Sequence, residues 1–255
     1  MEPLTILLIT QARVGSTRFP KKVMKSIADN TLLGLHLDRI KKSRLVTNIV
    51  VATTEEDGVD TIVNIAQHSG VAVFQGDLND VLDRFYQAAL PYSPDYIVRV
   101  TSDCPLLDAT LIDSVIELTV QEKADYGSNM IVEEYPDGQD IEVFTFKALA
   151  QAWNEAKTTS EREHVTPYIR NNSNIKGGAL FKVVHFKSPS NFNHIRMTVD
   201  EPRDLEAIKI LVSKIGTKAT WLEYTQYIIN NIKEFKNQDI QRNEGYLKSL
   251  KNEKN

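Results

Sequence analysis

Four short, nearly unbroken apolar runs occupy the first half of the chain, and each is followed by a stretch of helical periodicity. The runs are residues 4–10, 48–53, 71–74 and 96–100. The amphipathic stretches are residues 32–44, 58–69, 79–90 and 109–121. Leu33, Leu37 and Ile40 share one face of the first, and Val59, Ile62, Val63 and Ala66 one face of the second. A strand that is apolar throughout must be covered on both faces, and helices inserted between consecutive strands make those strands parallel. The order therefore predicts an α/β fold: a mostly parallel twisted sheet with helices on both faces.

The pattern loosens after residue 122. Ile141–Phe146 and Ala179–Phe186 alternate more than the earlier runs and read as an antiparallel extension, with helices at 147–157 and 160–171. A late strand is expected at Ile195–Val199, then helices at 201–214 and 221–233. The expected organisation is one α/β domain over 1–236, with an acceptor or dimerisation extension over about 125–195. A polar tail or surface helix is expected at 237–255.

Charge and cysteine content narrow the function. Thirty Lys+Arg against 34 Asp+Glu gives a net charge of −4, so nucleic acid is not an expected partner. The single cysteine, Cys104, excludes an intrachain disulfide and a Cys-rich metal site. No run approaches the ~18 apolar residues of a membrane span. The start is acidic and lacks a secretion signal, and a cytoplasmic location is expected.

Sheets of this type often bind nucleotides at their strand ends. Yet the eleven glycines form neither Gly-x-Gly-x-x-Gly nor a P-loop. Another phosphate device follows the first strand: Gln11-Ala12-Arg13-Val14-Gly15-Ser16-Thr17-Arg18-Phe19-Pro20-Lys21-Lys22-Val23. From Pro3 to Ala28 there is no acidic residue, while Arg13, Arg18, Lys21, Lys22 and Lys25 fall in that span. Gly15 permits close backbone approach, and Ser16 and Thr17 supply donors. The guest that suits this loop is a triphosphate, and the competing reading is a solvated basic turn. Asp103 and Asp200 each stand just beyond an apolar run. Two such carboxylates facing a basic loop suit Mg²⁺, which combines a few carboxylates with phosphate oxygens and water. The competing reading for each is a turn or helix cap.

Taken together, these segments resemble the cytidylyltransferase family typified by spore-coat polysaccharide biosynthesis protein F. That family is related to CMP-sugar-acid synthetases such as 3-deoxy-manno-octulosonate cytidylyltransferase. The resemblance rests on Ile9–Pro20, Gly76–Tyr86, Arg99–Asp108, Tyr135–Phe144, Glu161–Ile169 and Thr198–Asp204, in order along the chain. It implies a nucleotide-diphospho-sugar-transferase-like fold, CTP as donor, Mg²⁺ as cofactor and a homodimer. By matching motifs, Arg13 and Lys22 hold triphosphate, and Asp103 and Asp200 hold metal. Gln11, Ala12, Gly15, Ser16, Thr17, Thr53, Thr54 and Asp103 complete the expected nucleotide site. Relatives usually have Pro-Gly-Lys where this chain has Pro20-Lys21-Lys22, which makes Lys22 the matching lysine. Many relatives also have Gly where this chain has Ser102.

Asp140, Glu142, Arg162 and His164 are the expected acceptor-side residues. Asp140 and Glu142 fall on one face of a strand. His164 is either a base or a hydrogen-bond partner of Asp140, and a purely structural network through Glu161, Arg162 and His164 is the alternative. Arg84 either reaches the nucleotide or forms a surface ion pair. The resulting expectation is a CTP- and Mg²⁺-dependent nucleotidyltransferase. It forms a CMP-activated sugar acid or other small acceptor for surface polysaccharide, with release of pyrophosphate. Two alternatives remain. A glycosyltransferase of this fold would bring an Asp-x-Asp that Ser102-Asp103-Cys104-Pro105 does not supply. A non-catalytic CTP-binding homologue is the other.

Overall fold

The computed structural model of the protein describes residues 3–16 and 18–243. Strand β1 (Ile6–Gln11) leads through a small hairpin, β2 (Ser26–Ile27) and β3 (Asn30–Thr31), into α1 (Leu32–Ile40). Next come β4 (Asn48–Thr54), α2 (Asp60–His68), β5 (Ala72–Gly76), α3 (Val81–Ala89), β6 (Tyr96–Thr101) and α4 (Ala109–Gln121). The second half holds β7 (Tyr126–Ser128), β8 (Glu142–Thr145), α5 (Phe146–Glu155), α6 (Thr159–His164), α7 (Pro167–Asn171), β9 (Val183–His185), α8 (Pro202–Ile215) and α9 (Trp221–Asn230).

Seven strands form one sheet in the order β5-β4-β1-β6-β8-β7-β9. The first four are parallel; β8 runs antiparallel to β6 and β7, and β9 is parallel to β7. Within β1, Ile6 and Leu8 face one apolar core, and Leu7 and Ile9 face the other. Both faces are thus covered, as the apolar runs required. The chain passes from β1 to β4 on one side and later to β6 on the other. Such a switch point opens a crevice beyond the carboxyl ends of β1 and β6. No described helix is long and apolar enough to cross a membrane.

Several boundaries differ from the periodicity, each for a local reason. Helix α1 stops at Ile40 rather than 44, because the Asp113 carboxylate collects the backbone N–H groups of Arg44 and Leu45 and the Ser43 hydroxyl. The expected helix over 160–171 is broken at Val165, whose φ of 71° closes a tight turn with Thr166 N–H donating to the His164 carbonyl at 2.8 Å. Pro167 then starts α7, and a residue before proline is disfavoured in a helix. Residues 195–199 are not a ladder strand. They lie across the strand ends, bonded to Asp137 and, through Val199 N–H, to the Asp103 carbonyl at 2.8 Å. Strand β7 is too short to leave a periodic signal. Residues 237–243 form turns rather than a helix, and the tail expected beyond them lies outside the described residues.

His36 of α1 is fully buried beneath the crevice. Its Nδ1 lies 2.9 Å from the Cys104 carbonyl and its Nε2 lies 2.9 Å from Thr10 Oγ1. The carbonyl requires Nδ1 to carry the proton, so the Thr10 hydroxyl donates to Nε2. Burial lowers its pKa from 6.5 to about 4. The unfolded chain therefore binds a proton that the native state refuses between those values, and stability falls as pH drops through that window. The stability margin of the wild type over His36→Gln should shrink by about 3 kcal/mol between pH 7 and pH 4. Paired denaturant titrations measure that difference. A comparison of the two proteins is needed because Asp137, raised to about 7 chiefly by burial, titrates nearby with the opposite sign.

Candidate active site

Two cavities open along the carboxyl edge of the sheet. One, of about 540 Å³, lies beside the loop after β1, and its walls include Gln11, Ala12, Arg13, Ser16, Lys22 and Arg84. The other, of about 620 Å³, lies toward the antiparallel strands and includes Arg99, Asp140, Glu142, Arg170 and Arg242. Arg18, Thr101, Asp103, His164 and Asp200 border both. The divide between the cavities is therefore built from both aspartates, Asp103 beyond β6 and Asp200 beyond the 195–199 segment.

The strand ends are fixed locally. Ser102 is buried, and its hydroxyl donates to the Gln11 carbonyl at 2.7 Å, which ties the end of β6 to the end of β1. Asp103 follows at once. The helix-cap reading fails for both aspartates: α4 is capped by Asp108, and Asp204 receives the N–H groups of Asp200 and Glu201 at the start of α8. Both site carboxyls are left to face the crevice. Gly138 lets the segment before β8 approach residues 197–198; a Cβ there would stand 2.7 Å from the Met197 carbonyl carbon, and its φ is +106°.

Lys22 Nζ lies 2.8 Å from Asp103 Oδ2 and 2.8 Å from Asp200 Oδ1. Arg18 also reaches Asp200 Oδ1 at 3.0 Å, and Arg196 reaches Asp200 Oδ2 at 3.3 Å. Burial works against the Lys22 charge, but the two carboxylates more than offset it and its pKa is raised. Burial alone would raise the Asp103 pKa; the neighbouring Lys22 instead holds it well below the usual carboxylate range. Two carboxylates that already converge on one cation fit Mg²⁺ with phosphate oxygens and water completing its shell. Among the described residues no cluster of three or more His, Cys, Asp or Glu forms a metal cage, so phosphate would have to complete the set.

Lys21 adopts a left-handed conformation (φ 58°, ψ 26°) and is exposed, while Val23 is buried. The position where the resemblance leads one to expect Gly is thus the one with a positive φ, and the turn aims Lys22 inward. Lys21→Gly should raise stability by about 0.5–1 kcal/mol without altering activity, as a pair of thermal melts would show. Arg84, ambiguous in the sequence, lies in the nucleotide-side wall. It is 2% exposed, and its Nε is buried with no partner. Burial, then the charge of Arg13, pushes its pKa down to about 10. A buried cation beside the exposed Arg13, both in the wall of one cavity, suits an anion.

On the acceptor side, antiparallel pairing sets Arg99 opposite Glu142, and the two form an ion pair. Tyr126 and Thr166 hydroxyls also donate to Glu142. Burial opposes its charge, but Arg99 and Arg170 lower its pKa. Asp140 is bound by Arg242, a contact no motif signalled. His164 borders both cavities, and burial with Arg99 and Arg170 lowers its pKa to about 4, so it is neutral at pH 7.

Other expected residues stand elsewhere. Arg162 grips Asp80 and the Trp153 carbonyl, joining α6 to α3 and α5, and borders neither cavity. Thr53 and Thr54 are fully buried at the end of β4 and border neither, because their side chains enter the sheet faces; Thr54 donates to Glu56 at 2.6 Å. Gly15 makes room for Glu56 rather than for the cavity: a Cβ there would stand 2.4 Å from Glu56 Oε1. Thr17 lies outside the described residues.

Comparison with known proteins adds a family. A family model described as "Cytidylyltransferase" matches residues 7–246. An uncharacterized protein of Methanocaldococcus jannaschii is 42% identical over 207 residues, covering 80% of this chain and 81% of its own. Spore coat polysaccharide biosynthesis protein SpsF of Bacillus subtilis is 33% identical over 220 residues, covering 84% and 88%. Among solved structures, a cytidylyltransferase from Leptospira borgpetersenii serovar Hardjo-bovis superposes with a TM-score of 0.86 at 33% identity, covering 94% of this chain and all of that one.

Proposed function

The chain belongs to the cytidylyltransferase family, and we propose that it transfers the CMP portion of CTP to an oxygen of a small acceptor, releasing pyrophosphate, with Mg²⁺ as cofactor. The observation that carries this reading is the pair of cavities meeting at Asp103 and Asp200. One cavity is basic and follows β1; the other is lined by paired acids and arginines. A nucleotide in the first and an acceptor in the second would meet across the two carboxylates.

In this reading Arg13, Lys22 and Arg84 hold the triphosphate, and their charge offsets what develops on the leaving pyrophosphate. Gln11, Ala12 and Ser16 line the nucleotide's path. Asp103 and Asp200 hold the metal, which when bound polarises phosphate oxygens. Glu142, Asp140 and Arg242 bind the acceptor, and neutral His164, which borders both cavities, would take the proton of an attacking hydroxyl. Positioning and charge suffice for such a transfer. The name of the Bacillus subtilis relative extends the proposal to surface polysaccharide, with a sugar acid or another small acceptor as substrate.

CTP should raise the melting temperature more than ATP, GTP or UTP does, since a ligand selective for the native state stabilises it. Equal shifts for the four triphosphates would remove the cytidylyl assignment. Incubation with CTP, Mg²⁺ and an acceptor panel, read as the mass of a CMP adduct, then names the acceptor.

A further inference from the structure

The proposed reading gives Lys22 to the triphosphate, yet its ammonium lies between the two carboxylates meant for the metal. It lies 2.8 Å from an oxygen of each. We propose that Lys22 is a place-holder for the divalent cation: it occupies the metal position at rest, and the ion enters only with a triphosphate that draws Lys22 away. The inference rests on the reading of Asp103 and Asp200 as metal ligands.

Three features support the exchange. First, the pair is electrostatically complete at rest. Asp200 faces Lys22 and Arg18 on one oxygen and Arg196 on the other. A divalent ion arriving alone would meet these cations within a few ångströms, with no added anion to offset them. Second, only the lysine stem needs to move. Buried Val23 and the left-handed turn at Lys21 fix its backbone, whereas a four-carbon stem carrying a compact ammonium has several rotamers. Third, a destination exists in the same cavity. Lys22 shares its walls with Arg13 and Arg84, and Arg84 has a buried Nε that lacks a partner. A triphosphate there would attract Lys22 and supply oxygens to the incoming ion. Nucleotide and metal then favour each other's binding by the same factor, as linkage demands.

Mn²⁺ serves as the probe, titrated into nucleotide-free protein and followed by the loss of the free-ion electron paramagnetic resonance signal. Wild type should bind it at least ten-fold more weakly than Lys22→Met, and Lys21→Met should match wild type. Mn²⁺ should also raise the melting temperature of Lys22→Met and leave that of wild type unchanged. Lys22→Gln repeats the comparison if the Met variant does not fold. Equal Mn²⁺ affinity in wild type and the Lys22 variants overturns the place-holder. A CTP thermal shift on the same wild-type sample tests the nucleotide reading separately. A missing CTP shift alongside tight Mn²⁺ binding by Lys22→Met would reject CTP and keep the place-holder. A normal shift without that gain would do the reverse.

Discussion

Asp103→Asn should lower turnover on the order of 10³-fold, and Asp200→Asn should do the same. Asparagine keeps the size of the side chain and one carbonyl oxygen, but it removes the negative charge that a divalent ion and Lys22 both require. Each variant leaves Lys22 with one carboxylate at 2.8 Å, so a cooperative melt should survive. The fold does not need either residue as a helix cap, because Asp108 caps α4 and Glu201 with Asp204 forms the capping box of α8. Steady-state pyrophosphate release, corrected for the folded fraction, is the measurement. Near-normal turnover at ordinary Mg²⁺ in either variant would reduce that aspartate to a structural partner of Lys22.

The second large effect belongs to the loop after β1. Arg13→Ala and Lys22→Ala should each cost on the order of 10²-fold in kcat/KM, about 3 kcal/mol. In the proposed transfer, charge would build on the departing pyrophosphate as its bond breaks, so a cation is worth more there than in the ground state. Lys21→Ala should be much milder, because its side chain leaves the left-handed turn toward solvent while Lys22 reaches the aspartates. Comparing the three variants under identical CTP concentrations fixes the register of the loop. A larger defect for Lys21 than for Lys22 would mean that the cation acting on CTP is the other one.

Both predictions concern residues that the sequence singled out, and the reason is physical. Parallel strands advertise themselves as apolar runs, and ligands gather where such strands end. Arg13 and Asp103 are therefore legible as candidates from position and charge, whereas Asp200 is singled out by the apolar run 195–199, which folds across the strand ends instead of joining the sheet. What the sequence hid were groups whose role depends on long-range pairing. Arg99 sits inside a buried strand and gains its part only because β8 runs antiparallel and sets Glu142 opposite it. Arg242 lies in a polar stretch without periodicity, and only the folded chain brings it to Asp140. The errors have the same origin. Arg162 and Thr53 carry suitable chemistry, but a helix contact turns one away and burial in the sheet encloses the other. Short Tyr126–Ser128 could not register as a strand, although its tyrosine completes the Glu142 cluster.

The ion pairs at the crevice also impose a timetable on synthesis. Lys22 is separated from Asp103 by 81 residues and from Asp200 by 178. At ~5–20 residues per second the second partner reaches the peptidyl-transfer centre roughly 10 to 35 seconds after the lysine. Until then a segment carrying Arg13, Arg18, Lys21, Lys22 and Lys25 and no acidic residue waits without Asp200. Any polyanion present in that interval competes for it. A dilution refolding experiment meets the same competition, so polyphosphate added before the carboxylates have docked should slow recovery, whereas the same salt added afterwards should not.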